Sequence, residues 1–260
     1  MHKNTRSRLH YAAFYGALAL ALGSTAAAAA PLAVPPHEVL YRTSFKGLAV
    51  GDLKVTLSHD TTTDLWSYET HAQPTLLARL IVSPQSVEQS IFRVTPNGIA
   101  PIRYQITDGS GRADGMAALT YDEANHHVTG QVKGQTLDLP LEGLLTDPLS
   151  IRAAVLFDLN AGRAPAEYAM IDNQEIKRYV YRFIRTERIN TELGNLDTVV
   201  YDSERAGAQG RGRSWRFWYA PALHQVIVRA EQHGDGHIRL LMTIHAIHWK
   251  TSGSSSGPIP

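Results

Sequence analysis

The chain of 260 residues contains no cysteine. That absence removes disulfide staples, thiolate metal ligands, a cysteine nucleophile and the cysteine on which bacterial lipoproteins are acylated. An exported chain without disulfides must stand on its hydrophobic core, and roughly 230 residues are enough to build one large core. There is no H-E-x-x-H, no S-x-x-K and, outside the low-complexity tail, no G-x-S-x-G elbow, so the usual sequence marks of metalloprotease and serine hydrolase chemistry are missing. "DGSG" at Asp108–Gly111 lacks the Lys and the following helix of a phosphate loop and reads as a hairpin turn. No Pro/Ser-rich linker divides the middle of the chain and no fixed-period repeat runs through it, which favours one domain.

Acidic residues are absent from the first 29 positions, which carry Lys3, Arg6 and Arg8. The basic start, the apolar "YAAFYGALALALG" and the small-residue tract "STAAAAAP" have the order of a secretory signal peptide, with cleavage expected near Ala29 or Ala30. A retained anchor is the weaker alternative, because the apolar run is short for a span. Cleavage would remove three of the 25 basic residues and none of the 24 acidic ones, leaving a formal charge of −2. That balance gives no support to nucleic-acid binding or to an anionic membrane surface as partner. The expected layout is a signal peptide over 1–29, a single domain over 30–250 and a low-complexity, disordered tail, "TSGSSSGPIP", over 251–260. The cleaved protein is expected in the periplasm without a stable membrane anchor.

What is abundant is short alternating segments. In "GDLKVTLSHD" Leu53, Val55 and Leu57 share one face and Lys54, Thr56 and Ser58 the other, the pattern of a half-buried strand. Similar stretches recur along the chain between turn signals such as "PNG", "KGQ", "DNQ", "LGN" and "HGDG", which predicts an antiparallel meander of more than about ten strands. So many strands with so little helix to cover them should curl. The expected fold is mainly β, an antiparallel curved sheet forming an open or spiral barrel around one principal α-helix.

That helix is predicted over about 147–160, in "LLTDPLSIRAAVLFDLNAGRAP". Asp147 suits the N-cap, Pro148 the first helical position, and Gly162 and Pro165 the stop. Its apolar residues surround nearly the whole axis, so it should be buried, and the hollow of the curved sheet is the natural place. A second helical turn is expected in "QPTLLARLI", before Ser83-Pro84.

The ordered series "IFRVTPNGIAPIRYQITDG", "LTYD", "DPLSIRAAVLFDLNAG", "YAMIDNQEIKRYVYRFI", "TELGNLDTVVYDSER" and "WYAPALHQVIVRAEQ" resembles the domain-of-unknown-function family 3108 of exported Gram-negative proteins. The resemblance spans roughly residues 38–245. It implies a periplasmic, barrel-like sheet, similar at a greater distance to the Lol-type lipoprotein carriers, which hold acyl chains between a half-barrel and a helix. It brings no activity and no catalytic motif. One departure is the missing proline before Val228-Arg229.

Twelve His raise the question of a metal, but His245 and His248 in "HAIHW" fall on a predicted strand and should diverge, as should His126 and His127. Asp108, Asp114 and Asp122 sit near turns, where Asp bonds its own backbone. "GRGRSWRFWYAP" mixes Arg211, Arg213 and Arg216 with aromatics. It reads as a strand with Trp215, Phe217 and Tyr219 on one face and Arg216 and Trp218 on the other, in preference to a single-stranded nucleic-acid platform. Arg152 and Asp158 are charges on an enclosed helix, about 240° apart, and cannot pair with each other. Each anchors a strand residue or sits at the barrel rim, or else Arg152 binds an anionic head group at a cavity mouth. The candidate ligand-binding residues are Arg152, Phe157 and Asp158, with Arg152 on an anionic head group and Phe157 on the apolar part. The chain is read as a non-enzymatic envelope protein, with no cofactor and no metal, whose partner is a lipid or acylated ligand. The alternatives are an envelope scaffold acting on another protein and a hydrolase without a recognisable motif.

Overall fold

The computed structural model describes residues 34–76, 78–80, 86–208 and 212–250. The expected signal peptide, Ser83-Pro84 and the tail of the sequence lie outside them. The first wing of the sheet runs β1 (His37–Phe45), β2 (Leu48–Asp60), β3 (Leu65–Pro74), β4 (Val87–Thr95), β5 (Gly98–Thr107), β6 (Met116–Asp122), β7 (His127–Val132) and β8 (Gln135–Pro140). Then come β9 (Leu145–Thr146), α1 (Ser150–Asn160), β10 (Glu167–Asp172), β11 (Glu175–Thr191), β12 (Gly194–Arg205), β13 (Ser214–Ala220), β14 (Val226–Gly234) and β15 (His237–Trp249). The predicted turn after β3 is a short 3-10 turn, Ala78–Leu80.

All strands form one 15-stranded sheet, in the order β8 to β1, then β15 down to β9. The first and last strands therefore pair at its centre, Val39 opposite Ile247, and two meandering wings spread from them. The sheet is open, with β8 and β9 as its edges. Pairing is antiparallel throughout except between β9 and β10, where Leu145 lies beside Ala169 in parallel. The crossover that parallel pair needs is α1 itself. Bulges bend the sheet at Leu40/Tyr41, Thr43/Ser44, Ile91/Phe92, Phe183/Arg185 and Gln232/His233. Another falls between Trp218 and Tyr219, opposite Val228, so the missing proline does not prevent a bulge there.

The strand alternation in β2 is more deeply covered than a half-buried strand predicts. Val55 and Leu57 are buried, and so are Thr56 and Ser58 on the other face. Thr56 lies between Glu38 and Glu69 in the ladder, and these longer neighbours shade a short side chain.

Regular α-helical structure begins at Ser150, three residues later than predicted. One bond of the first turn is tighter: Arg152 N–H donates to the Leu149 carbonyl, three residues back, at 3.0 Å, while Ile151 N–H makes the ordinary i−4 bond to Asp147 at 3.1 Å. Asp147 still closes this turn. Its Oδ1 accepts from the N–H groups of Leu149 (2.9 Å) and Ser150 (2.8 Å), and its own N–H donates to Ser150 Oγ (2.7 Å), a reciprocal cap. At the other end Gly162 N–H bonds the Leu159 carbonyl and Arg163 N–H that of Asp158. This is a Schellman stop, and Gly162 at φ +72° supplies the left-handed residue it requires. No residue of α1 is exposed. Ile151, Ala153, Ala154, Val155 and Leu156 belong to a core that joins both wings, as expected for a helix apolar nearly all round.

Candidate functional site

The space around α1 is lined by aromatic residues from both wings. On β13, Trp215 and Phe217 are stacked with ring centres 5.5 Å apart, and Tyr219 follows at 6.1 Å. Period-two spacing puts these three on the helix side of the sheet. Trp218 and Arg216 face away: Arg216 grips Asp202 at 2.6 and 2.8 Å, and Trp218 donates to Glu187 and packs under Arg229. Tyr181 stacks on Phe217, and Tyr168 meets Tyr181 edge-on. From the first wing come Tyr41, whose hydroxyl donates to the Ile227 carbonyl at 2.7 Å, and Tyr68.

Arg152 is half-buried among these rings, its guanidinium carbon 5.8 Å from the centre of Trp215. Among the described residues no carboxylate lies within 4 Å of it, and the undescribed segments contain no Asp or Glu. Its charge is felt by Tyr41, Tyr68, Tyr181 and Tyr219. Burial raises the pKa of each, and the guanidinium works against that rise; Tyr181 stands at about 12. These hydroxyls therefore stay protonated and cannot neutralise the arginine.

Phe157 is partly buried one turn and a half further on, with Trp66 and Phe92 both edge-on to it at 5.1 and 6.1 Å. Asp158 is occupied within the helix end. Its Oδ1 accepts from Arg163 at 2.6 and 2.9 Å and its Oδ2 from Tyr168 at 2.6 Å. Arg152 and Asp158 thus have separate surroundings, and only Arg152 faces the aromatic lining without a counter-charge.

Two open spaces adjoin this region. A cleft of about 310 Å³ lies at the gap between the wings, with Ile106, Leu119, Val132, Pro148 and Ile171 among its walls. Asp172 borders both it and a more polar cavity of about 670 Å³ that reaches Trp215. Among the described residues no group of three or more His, Asp or Glu is arranged to hold a metal ion. His245 Nδ1 bonds Glu192 at 2.7 Å. No helix among the described residues is long and apolar enough to cross a membrane.

Reasoning from sequence singled out Arg152, and alternation put Trp215, Phe217 and Tyr219 on one face. It missed Tyr41, Tyr68 and Tyr181, because a tyrosine in a strand has the same local pattern on either face. It also missed the buried partnership of Asp147 with Ser90 on β4, which depends on how the two wings fold over α1.

An open, bulged antiparallel sheet with one enclosed helix and an aromatic lining defines a class of barrel-like β proteins. A crystal structure of the beta-barrel-like DUF1849 protein from Brucella abortus has this fold: TM-score 0.50 at 7% identity, over 85% of this chain and all of that one. The chain belongs to the DUF3108 family, a family described as protein of unknown function, whose profile matches residues 40–243. A Bacteroides fragilis protein of YmcC-like fold aligns over 82% of this chain and 95% of its own, at 12% identity and a TM-score of 0.30. MucB aligns over 85% of this chain and 55% of its own, at 7% identity and a TM-score of 0.32. None of the curated proteins matches the chain significantly.

Proposed function

We propose that this is a periplasmic, non-enzymatic protein of the cell envelope that binds an amphipathic anion, a lipid or acyl chain, between the sheet and α1. The observation that carries the reading is Arg152. A half-buried cation with no carboxylate in reach, surrounded by protonated tyrosines and one face of Trp215, is costly unless water or an anion meets it. A ligand carboxylate or phosphate is such an anion, and Arg is the side chain best shaped for either. The apolar part of the ligand would follow the side of α1 that carries Phe157, toward Trp66. In this reading Asp158 holds the helix end in place through Arg163 and Tyr168 and does not touch the ligand. The basic–apolar–small order of residues 1–30 supports export.

A second reading, an envelope scaffold that works through protein contacts, draws support from the dense packing of α1, where Leu149, Ala153 and Val155 are wholly enclosed. The two separate on binding. Wild-type protein titrated with a dansylated C11 fatty acid should bind at micromolar concentration, and Arg152→Ala should weaken binding about tenfold, the loss of one charge-assisted contact. No binding by the wild type, together with no lipid in mass spectra of protein purified from the periplasm, would leave the scaffold reading.

A further inference from the structure

We infer that the head group of the ligand carries phosphate, held by Arg205 and Arg213 in the 670 Å³ cavity that Trp215 lines, with Arg152 against the same indole. The inference rests on the amphiphile reading above and specifies which amphiphile.

The argument begins with ion pairing. From β10 to the end of β15, nearly every described lysine and arginine has a carboxylate within 4 Å. Lys177 has Asp172, Arg178 has Glu167, Arg182 has Glu204, Arg185 has Glu187, Arg188 has Asp197, Arg216 has Asp202, Arg229 has Glu231, and Arg239 has Asp235. Among the described residues of this wing the two exceptions are Arg205 and Arg213, and both line the same cavity. The acid in that wall, Asp172, is already taken: Lys177 bonds it at 2.9 Å and Tyr179 donates to it at 3.0 Å.

The position of Arg205 is set by the backbone. Ala206 N–H donates to the Arg178 carbonyl at 2.8 Å and Ala208 N–H to that of Arg205 at 3.0 Å. The remaining wall supplies Trp215, Tyr179 and Gln232, two aromatic surfaces and an amide. Arg152 meets the ring of Trp215 from within the fold. Arg152 packs on this indole and Arg205 and Arg213 share its cavity, none with a carboxylate within 4 Å; the one acid in the wall, Asp172, feels the charge of Arg205 but is bonded to Lys177 and Tyr179. A carboxylate offers this cluster one charge and two acceptor oxygens. A phosphate ester, with more charge and three or more acceptor oxygens, can be gripped by two while Arg152 stays close enough to stabilise it. Asp172 also borders the cleft between the wings, whose walls set Ile106, Leu119, Val132 and Ile171 beside Asp108, Asp114 and Lys133, so apolar side chains for a ligand tail lie next to this cavity.

Three probes test this against wild-type protein, the Arg205→Ala/Arg213→Ala double variant and Trp215→Phe: lauric acid, lysophosphatidic acid with the same chain, and glycerol 3-phosphate. Both arginines are exposed, so the double variant should melt at the wild-type temperature. The expected result is that wild type prefers lysophosphatidic acid to lauric acid at least tenfold, with a change in tryptophan fluorescence that Trp215→Phe abolishes. The double variant should lose that preference and hold lauric acid within twofold of wild type. Equal affinity of wild type for both amphiphiles overturns the inference and leaves the amphiphile reading standing. So does a double variant that keeps the preference. Glycerol 3-phosphate bound through the two arginines while neither amphiphile binds would sink the amphiphile reading instead, and assign the cavity to free phosphate esters.

Discussion

The Ser90 hydroxyl on β4 donates to Asp147 Oδ2 at 2.7 Å, across 57 residues of sequence, and both side chains are fully buried. This bond joins the first wing to the turn that starts α1. Every partner of the Asp147 carboxylate is neutral: a hydroxyl and the N–H groups of Leu149 and Ser150. Burial outweighs these bonds and pushes its pKa up to about 6.

A pH dependence follows, and a second group opposes it. Because Asp147 has a higher pKa folded than unfolded, the folded state binds the extra proton. Its stabilisation is complete below about pH 4 and is lost as pH rises through 6. The shift corresponds to roughly 3 kcal/mol. His37 runs the other way. Burial lowers its pKa from 6.5 to about 4, so its contribution is complete above pH 6.5 and is lost as pH falls through 4, again by roughly 3 kcal/mol. In the wild type the two slopes largely cancel between pH 4 and 6.5. Urea melts across this range should show Asp147→Asn losing stability on acidification more steeply than wild type, and His37→Gln gaining it. An Asp147→Asn curve parallel to wild type would contradict the raised pKa.

Phe157 tests the enclosure of α1. Its ring meets Trp66 and Phe92 edge-on but is only partly buried. Phe157→Ala should therefore cost about 3 kcal/mol, near the lower end for removing an aromatic ring from a core. A variant as stable as the wild type in chemical denaturation would mean that the helix is not held by this face.

Much of this architecture could be read before any coordinates. The strands announced themselves by alternation and turn residues, and α1 by a cap, a stop and an apolar surface all round. The order of the sheet could not be read so simply. Nothing local in "HEVLYRTSF" says that Val39 pairs with Ile247, or that Leu145 and Thr146 form a parallel edge beside β10. The start of α1 was placed three residues early, because Asp147 and Pro148 signal a helix while Arg152 N–H bonds Leu149, three residues back, instead of the Pro148 carbonyl. Arg152 stood out as a charge on an apolar helix. Arg205 and Arg213 did not, since an arginine near a Gly-rich turn is ordinary until the partners of its neighbours are known.

Ala154 separates a carrier from a solid core. It is 5% exposed and belongs to the core around α1. Ala154→Trp should cost about 1–3 kcal/mol if the surroundings are solid, as overpacking does. If they are a ligand space, the indole fills it. The melting temperature then stays near that of the wild type while binding of a fluorescent fatty acid disappears. Retained binding at wild-type affinity would argue against a ligand on this side of α1.

Asp158 is the charge on α1 whose role differs most from that of Arg152. Its carboxylate holds Arg163, on the turn that ends the helix, and the Tyr168 hydroxyl on β10, so it ties the helix end to the second wing. Asp158→Asn keeps the shape of the side chain and removes the charge that both donors use. Stability should fall by about 1–2 kcal/mol, a moderate value because Arg163 is half-exposed and solvent screens the pair. Fatty-acid affinity should stay within twofold of wild type, because the carboxylate is already occupied and would repel an anionic ligand if it were not. Calorimetric melts and the same fluorescence titration measure the two effects. A large loss of affinity with an unchanged melting temperature would put Asp158 against the ligand and overturn its assignment to the helix end.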